Sequence, residues 1–328
     1  MTYKEVYGQE KTSEFLKRTV AERKISHAYI FCGEKGSGKK LLSGLFATAI
    51  LCEKGGPEPC GECISCKQAA SGNNPDLKYI THEKPNVISV DEIRVQLNAD
   101  IAVKPYCHEK KVYIIDEAEK MNEQAQNAML KTIEEPPEYA VMILLVTNEK
   151  ILLPTIRSRC ILINLRPVEK KHIKKLLVEK HGISDYLADI AASYADGIPG
   201  RAVDFASSEE FSALRSDVIG TMKKMSRLEA SELPALIKSW NDKQELPDRL
   251  SLVYMWYRDV LVTKVLDSTD GVLFKDEEAA LYEYADLLTC EEIVKKLDAV
   301  NLLRERMRYN VNPEAALMLF FLSLRDRK

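Results

Sequence analysis

Gly33, Gly38 and Lys39 keep the spacing of a phosphate-binding loop, G-x-x-x-x-G-K-[ST], in the stretch "GEKGSGKK" at residues 33–40. The backbone N–H groups of such a loop, where it opens a helix, cradle phosphate oxygens, and the lysine reaches the terminal ones. The candidate phosphate-binding residues are Gly33, Gly36, Gly38, Lys39 and Lys40. The last position of the pattern should carry the hydroxyl that ligates Mg²⁺, and here it is Lys40. An ammonium has three donors and no acceptor, so it cannot coordinate a cation. It also puts positive charge at a helix N-terminus, which is unfavourable unless a bound anion offsets it. The expectation is a loop that can still take the phosphates of ATP or ADP while Mg²⁺-dependent hydrolysis suffers.

Two further groups of residues could do chemistry. "VYIIDEAEKM" (112–121) is an apolar run ending in acids. Asp116 at its end could hold Mg²⁺ directly or through water, and Glu117 could orient an attacking water. Cys52, Cys60, Cys63 and Cys66 read C-x7-C-x2-C-x2-C with turn residues between them, which suits a closed, structural tetrahedral zinc site. The rival is an iron–sulfur cluster, but that run wants its last Cys downstream, and none follows before Cys107.

These residues need a frame. "HAYIFCG" (27–33) reads as a buried strand feeding the loop, and "KLLSGLFATAILC" (40–52) as the helix after it. "SVDEIRVQLNAD" (89–100) opens with Ser89 and has Glu92 three residues on, the start of a capped helix. "KVYII" (111–115), "YAVMILLVTN" (139–148) and "CILINL" (160–165) read as further buried strands. The helix at 122–137 must stop at Pro136 and Pro137. Buried strands separated by helices imply a parallel sheet covered on both faces. Beyond Pro167 every segment reads as helix, and the polar stretch "ASSEE" (206–210) marks a boundary. The "KKHIKK" run (170–175) reads as a solvated helix face rather than a nucleic-acid patch. The Trp-bearing segments around 240 and 252–257 read as a helical core or subunit interface.

The bulk numbers set limits. With 328 residues the chain should hold two or three domains, and 45% apolar with 30% charged residues is ordinary for a globular protein. A net charge of −3 argues against holding DNA through phosphate contacts alone. No apolar run reaches the ~20 residues of a membrane-spanning helix. The polar start "MTYKEVYGQEKTSEF" lacks a signal-peptide core, so a cytoplasmic chain with no membrane partner is expected.

Together the motifs resemble the clamp-loader group of AAA+ proteins, along nearly the whole chain. The matching segments are "YGQ" (7–9), "ISHAYIFCGEKGSGKK" (25–40), the four-Cys insert, "VDEIR" (90–94), "IIDEAEKM" (114–121), "NAMLKTIEEPP" (127–137), "LPTIRSRC" (153–160) and "DGIPGRA" (196–202). The resemblance implies an α/β AAA+ P-loop domain at 1–166, with a zinc-binding insert at 52–66. A helical lid domain follows at 167–209, and an all-α collar for oligomerisation at 210–328. It implies that Arg159 is an arginine finger acting on a neighbouring subunit's ATP, as a planar guanidinium can. Thr147 and Asn148 fall at a sensor position, and Arg201 matches a second sensor on the lid. Arg94 falls where DNA phosphate could be approached in a ring, with a plain helix-face Arg as the equal reading. The implied partners are the tau/gamma and delta subunits of a hetero-pentameric clamp loader of DNA polymerase III, with sliding clamp and primed DNA reached through the complex.

Two roles within that family differ in chemistry. A stator binds its sister subunits, lends Arg159 and hydrolyses little, so that Glu117 is a vestige. An active ATPase of the tau/gamma type turns ATP over itself. Lys40 favours the stator, since tau/gamma-like chains carry Thr or Ser there. The stop soon after "NVNPEAALMLFFLSLRDRK", without a long tail, is also expected of a stator.

Overall fold

The apolar runs of the first half pair as parallel strands, because continuous Val, Ile and Leu suit a sheet buried on both faces. The computed structural model describes residues 3–82, 84–207, 209–242, 245–269, 271–308 and 311–325. They fall into two units, Met1–Gly182 with Ala195–Arg201, and Ile183–Tyr194 with Ala202–Lys328. Ser208, inside the polar boundary stretch, lies outside the described residues.

In the first unit the order is α1 (Glu10–Ala21), β1 (Ala28–Cys32), α2 (Lys39–Ile50), α3 (Ile64–Ala70), β2 (Leu77–Ile80) and α4 (Val90–Ile93). Then come β3 (Lys111–Ile115), α5 (Glu123–Glu134), β4 (Ala140–Val146), α6 (Pro154–Arg157), β5 (Ile161–Asn164) and α7 (Lys170–His181). The five strands form one parallel sheet in the order β2-β3-β4-β1-β5. This is the expected α/β P-loop architecture.

Side chains alternate across the sheet, as a period of two requires. Ile30, Tyr113, Ile115, Met142 and Leu144 face a core closed by Ile93, Leu97, Met129 and Ile133. Tyr29, Phe31, Ile114, Ile143 and Leu145 face the other, closed by Leu16, Leu42, Leu45 and Phe46. β3 and β4 are buried throughout, as expected. β5 is not: only Ile163 of its four residues is buried, because it is the sheet's edge.

Local signals set the helix ends. Ser89 Oγ accepts from the N–H of Glu92, and the Glu92 carboxylate accepts from the N–H of Ser89, the reciprocal cap expected. Past α4 the helix widens into a π-helical turn over Arg94–Ala99. There Gln96 grips Thr81, accepting from its N–H at 2.9 Å and donating to its carbonyl at 2.8 Å. α5 ends at Glu134, ahead of the two prolines. Asp76, wholly buried just before β2, draws the chain ahead of β3 inward. Its carboxylate accepts from the N–H groups of Tyr106 (2.7 Å), Cys107 (2.8 Å) and His108 (3.1 Å), and lies 2.8 Å from His108 Nδ1.

In the second unit all described elements are helical: α8 (Asp185–Tyr194), most of α9 (Pro199–Ser207), α10 (Glu209–Lys224), α11 (Leu233–Trp240), α12 (Leu246–Leu266), α13 (Glu278–Leu287), α14 (Cys290–Arg308) and α15 (Pro313–Leu324). Trp240, Trp256 and Tyr257 are fully buried in it. Trp240 packs edge-on to Phe321 and Trp256 edge-on to Tyr284, so the aromatic segments are core. No helix among the described residues is long and apolar enough to cross a membrane.

Candidate nucleotide site and metal centre

β1 delivers the chain to the loop, and α2 begins at Lys39 with Gly38 as its N-cap. Gly36 (φ +85°) and Gly38 (φ +94°) occupy the left-handed region that favours glycine. Gly36 has a second constraint. Its carbonyl accepts from the N–H of Gly200 at 2.8 Å, and a Cβ on Gly200 would stand 2.6 Å from Gly36 Cα. The start of α9, which carries Arg201, is thus laid directly on the loop. Arg201 itself is exposed.

Lys39 bends back over the loop, where its ammonium donates to the carbonyls of Gly33 (2.6 Å) and Glu34 (3.0 Å). Burial pushes its pKa down, against the pull of Glu119 and Asp116. Lys40 reaches the end of β3, and its Nζ lies 3.3 Å from Asp116 Oδ2. The acid that would hold a magnesium ion is therefore paired with the residue standing where the phosphate-loop pattern carries Ser or Thr. These residues do not fit a Mg²⁺ site: one ligand is gone and the other faces an ammonium.

Glu117 has φ +50°, in the left-handed region. Its carboxylate bonds to Lys120 Nζ and lies 3.6 Å from His82 Nε2; the Lys120 bond is the main reason its pKa falls below the ordinary value. At the sensor position Thr147 donates through N–H and hydroxyl to Glu119 Oε1, at 3.2 and 2.9 Å. Asn148 caps the short turn after it, its Oδ1 accepting from the N–H of Lys150 at 3.0 Å. Arg159, two residues past the end of α6, bonds within its own chain to Glu134, Thr155 and Ser158. Arg94 is exposed, with Asp91 3.7 Å away. Cys160 packs against the core, and burial pushes its thiol up to about 12.

The sequence reading did not single out Ser37, His82, Glu119, Lys120, Glu134 or Gly200 for this neighbourhood. Glu119 and Lys120 lie in the acid box and Gly200 beside Arg201, so adjacency was the available signal. His82 carried none.

The four cysteines of the insert converge. Their Sγ atoms all lie within 4.8 Å of one another, and Cys60 and Cys66 are 3.9 Å apart. Four sulfurs at about 2.3 Å from one tetrahedral ion would be about 3.8 Å apart, so the set fits a metal. Two turns aim N–H groups at the sulfurs: Cys63 to Cys60 Sγ (3.4 Å) and Cys66 to Cys63 Sγ (3.3 Å). The N–H groups of Cys63 and Glu62 bring the Cys60 thiol down to about 6. Burial takes Cys66 up to about 12. One thiolate thus forms readily, and a divalent cation would supply the charge that holds the others deprotonated.

A family model described as "DNA polymerase III, delta subunit" matches residues 8–169. The chain is 28% identical over 323 residues to DNA polymerase III subunit delta' of Bacillus subtilis, covering 97% of this chain and 96% of that one. It is 29% identical over 335 residues to the tau subunit of the same organism, covering 95% of this chain and 59% of tau. It is 36% identical over 177 residues to the tau/gamma subunit of Haemophilus influenzae, covering 54% of this chain and 25% of that one. The parallel sheet, the phosphate loop with its acid box and the cysteine cluster stand beside that likeness: the chain is similar to the delta', tau and tau/gamma subunits of DNA polymerase III.

Proposed function

We propose that this chain is the delta-prime-type stator of a DNA polymerase III clamp loader. It holds tau/gamma and delta subunits in a five-membered ring that places the sliding clamp on primed DNA. It lends Arg159 to a neighbour's ATP and does not hydrolyse ATP itself. The observation that carries the reading is the Lys40–Asp116 ion pair, 3.3 Å between Nζ and Oδ2. Phosphoryl transfer depends on a metal bridging the phosphates. Glu117, turned to Lys120 and His82, is likewise engaged away from an attacking water.

In this reading three segments of the chain divide the work. The sheet and loop are kept for shape, the helical segments at 167–209 act as lid, and the helices at 210–328 form the collar. Cys52, Cys60, Cys63 and Cys66 hold zinc, which would tie the insert together and supply no open coordination position. The rival reading, an active tau/gamma-type ATPase, draws on the similar identity to tau and delta'.

Steady-state ATP hydrolysis by the purified chain separates the two. The stator reading expects no Mg²⁺-dependent turnover above buffer. It also expects the chain to co-elute with tau/gamma and delta and to be required for their DNA-stimulated hydrolysis. Robust turnover by the isolated chain selects the ATPase reading.

A further inference from the structure

The phosphate loop has kept more than its backbone. Ser37 is 8% exposed, and its Oγ has no hydrogen-bond partner. A Cβ on Gly33 would lie 2.8 Å from that oxygen, so the hydroxyl is turned inward over the start of the loop. A buried hydroxyl left without a partner is costly, and a phosphate oxygen is the acceptor such a loop is shaped to receive. Lys39 rests on the carbonyls of Gly33 and Glu34, contacts a bound anion would take over.

Lys40 adds what a metal would otherwise bring. In a loop of this kind the ion joins the phosphates to the acid at the strand end and neutralises both. Lys40 stands in the first turn of α2 and already reaches that acid, 3.3 Å from Asp116 Oδ2. An ammonium has three donors, more than the ion pair with one carboxylate oxygen can engage. Its N–H groups can serve phosphate oxygens as charge-assisted hydrogen bonds. A free Mg²⁺ that entered would meet both the ammonium's charge and a carboxylate already engaged.

We propose that this loop binds the phosphates of a nucleoside di- or triphosphate without a divalent cation, Lys40 joining them to Asp116 where magnesium would otherwise do so. The inference rests on the stator reading in one respect, that the loop is retained without turnover. Its consequence is specific: nucleotide affinity does not depend on magnesium.

Isothermal titration of the zinc-loaded full chain with ADP and with ATP tests it. The buffer is either supplemented with Mg²⁺ or stripped of divalent ions by resin, because EDTA would attack the cysteine cluster. The wild type should bind equally in both buffers, within about two-fold. Lys40→Met keeps the stem and removes the charge, and should lose about ten-fold or more in both buffers. Lys40→Thr should lose as much without magnesium and recover with it. Lys39→Ala should abolish binding, which locates the site. Position 40 is exposed, and melting curves verify that each variant is folded.

Three results would overturn the proposal: wild-type affinity that rises about ten-fold or more with Mg²⁺, no binding in either buffer at millimolar nucleotide, or Lys40→Met binding like the wild type. Turnover is followed in the same samples. Hydrolysis by the wild type would sink the stator reading and leave the comparison between buffers to decide the role of Lys40.

Discussion

Arg159 is held by Glu134: the guanidinium Nη2 lies 3.0 Å from Glu134 Oε1, joining the "SRC" and "EEPP" segments. Its Nη1 donates to the carbonyl of Thr155 at 3.0 Å and to Ser158 Oγ at 3.3 Å. The two side chains are 40% and 44% exposed, so solvent screens the pair, which contributes about 0–1 kcal/mol. Exchanging this carboxylate for another anion would therefore cost little.

In the reconstituted complex, Arg159→Ala should lower DNA-stimulated ATP turnover, by as much as about 10³-fold if the finger carries its usual share. Arg159→Lys should not restore it, since an ammonium lacks the planar fork. Glu134→Ala should change turnover less than about five-fold, the scale of a weak ion pair. An Arg159→Ala complex with unaltered kcat would remove the finger assignment.

The cysteine cluster should carry one zinc per chain by elemental analysis. Cys60→Ser or Cys66→Ser should release it and lower Tm, because loss of a structural metal belongs with the larger single-site effects, on the order of 4 kcal/mol. A visible absorption band from bound iron and sulfide in anaerobically purified protein would select the cluster alternative instead.

Gly200→Ala places a Cβ 2.6 Å from Gly36 Cα and 2.9 Å from its carbonyl oxygen. Both are backbone atoms, so the strain cannot be relieved by a rotamer. A loss of about 1–3 kcal/mol is expected in urea denaturation. Gly220→Ala is the control, since a Cβ there meets nothing within 4 Å.

Asp76 gives an acid-side signature. Burial alone would raise its pKa, but the N–H groups of Tyr106 and Cys107 and the His108 ring outweigh it and leave the group below the ordinary carboxylate value. A depressed folded-state pKa stabilises the fold above the unfolded value of about 3.9, and that contribution is lost as pH falls through the folded value. Asp76→Asn should cost about 2–3 kcal/mol at neutral pH, the scale of hydrogen bonds to a charged group. The gap to wild type should narrow below about pH 4. A gap that is constant from neutral to acid would show that the carboxylate's charge is not what matters there.

Much of this was legible in the chain because each signal was local. The phosphate loop, the Ser89–Glu92 cap, the stop of α5 before its prolines and the C-x2-C-x2-C run each declare themselves within a few residues. β1, β3 and β4 read correctly because their apolar runs are continuous. β2 was missed: "LKYI" is four residues long and buried only at its two ends, too little for a periodicity. β5 was read as buried because "ILIN" resembles its neighbours, and only the order of strands makes it an edge.

The site's own departures were harder to see. That position 40 lacks a hydroxyl is written in the sequence. That its ammonium turns to Asp116 depends on α2 and the end of β3 meeting in space. The grip of Gln96 on Thr81 and the seating of Gly200 on Gly36 are long-range in the same way, and neither residue type announces such a role.

The contact between Gly36 and Gly200 also bears on how this chain can drift. A side chain at either position meets backbone at the other, and backbone has nothing to trim, so no compensating change at the partner exists. Position 40 points outward and can exchange a hydroxyl for an ammonium without moving its neighbours. The lineage could thus give up a metal ligand in one step and keep the loop's form, whereas losing either glycine would give up the form itself.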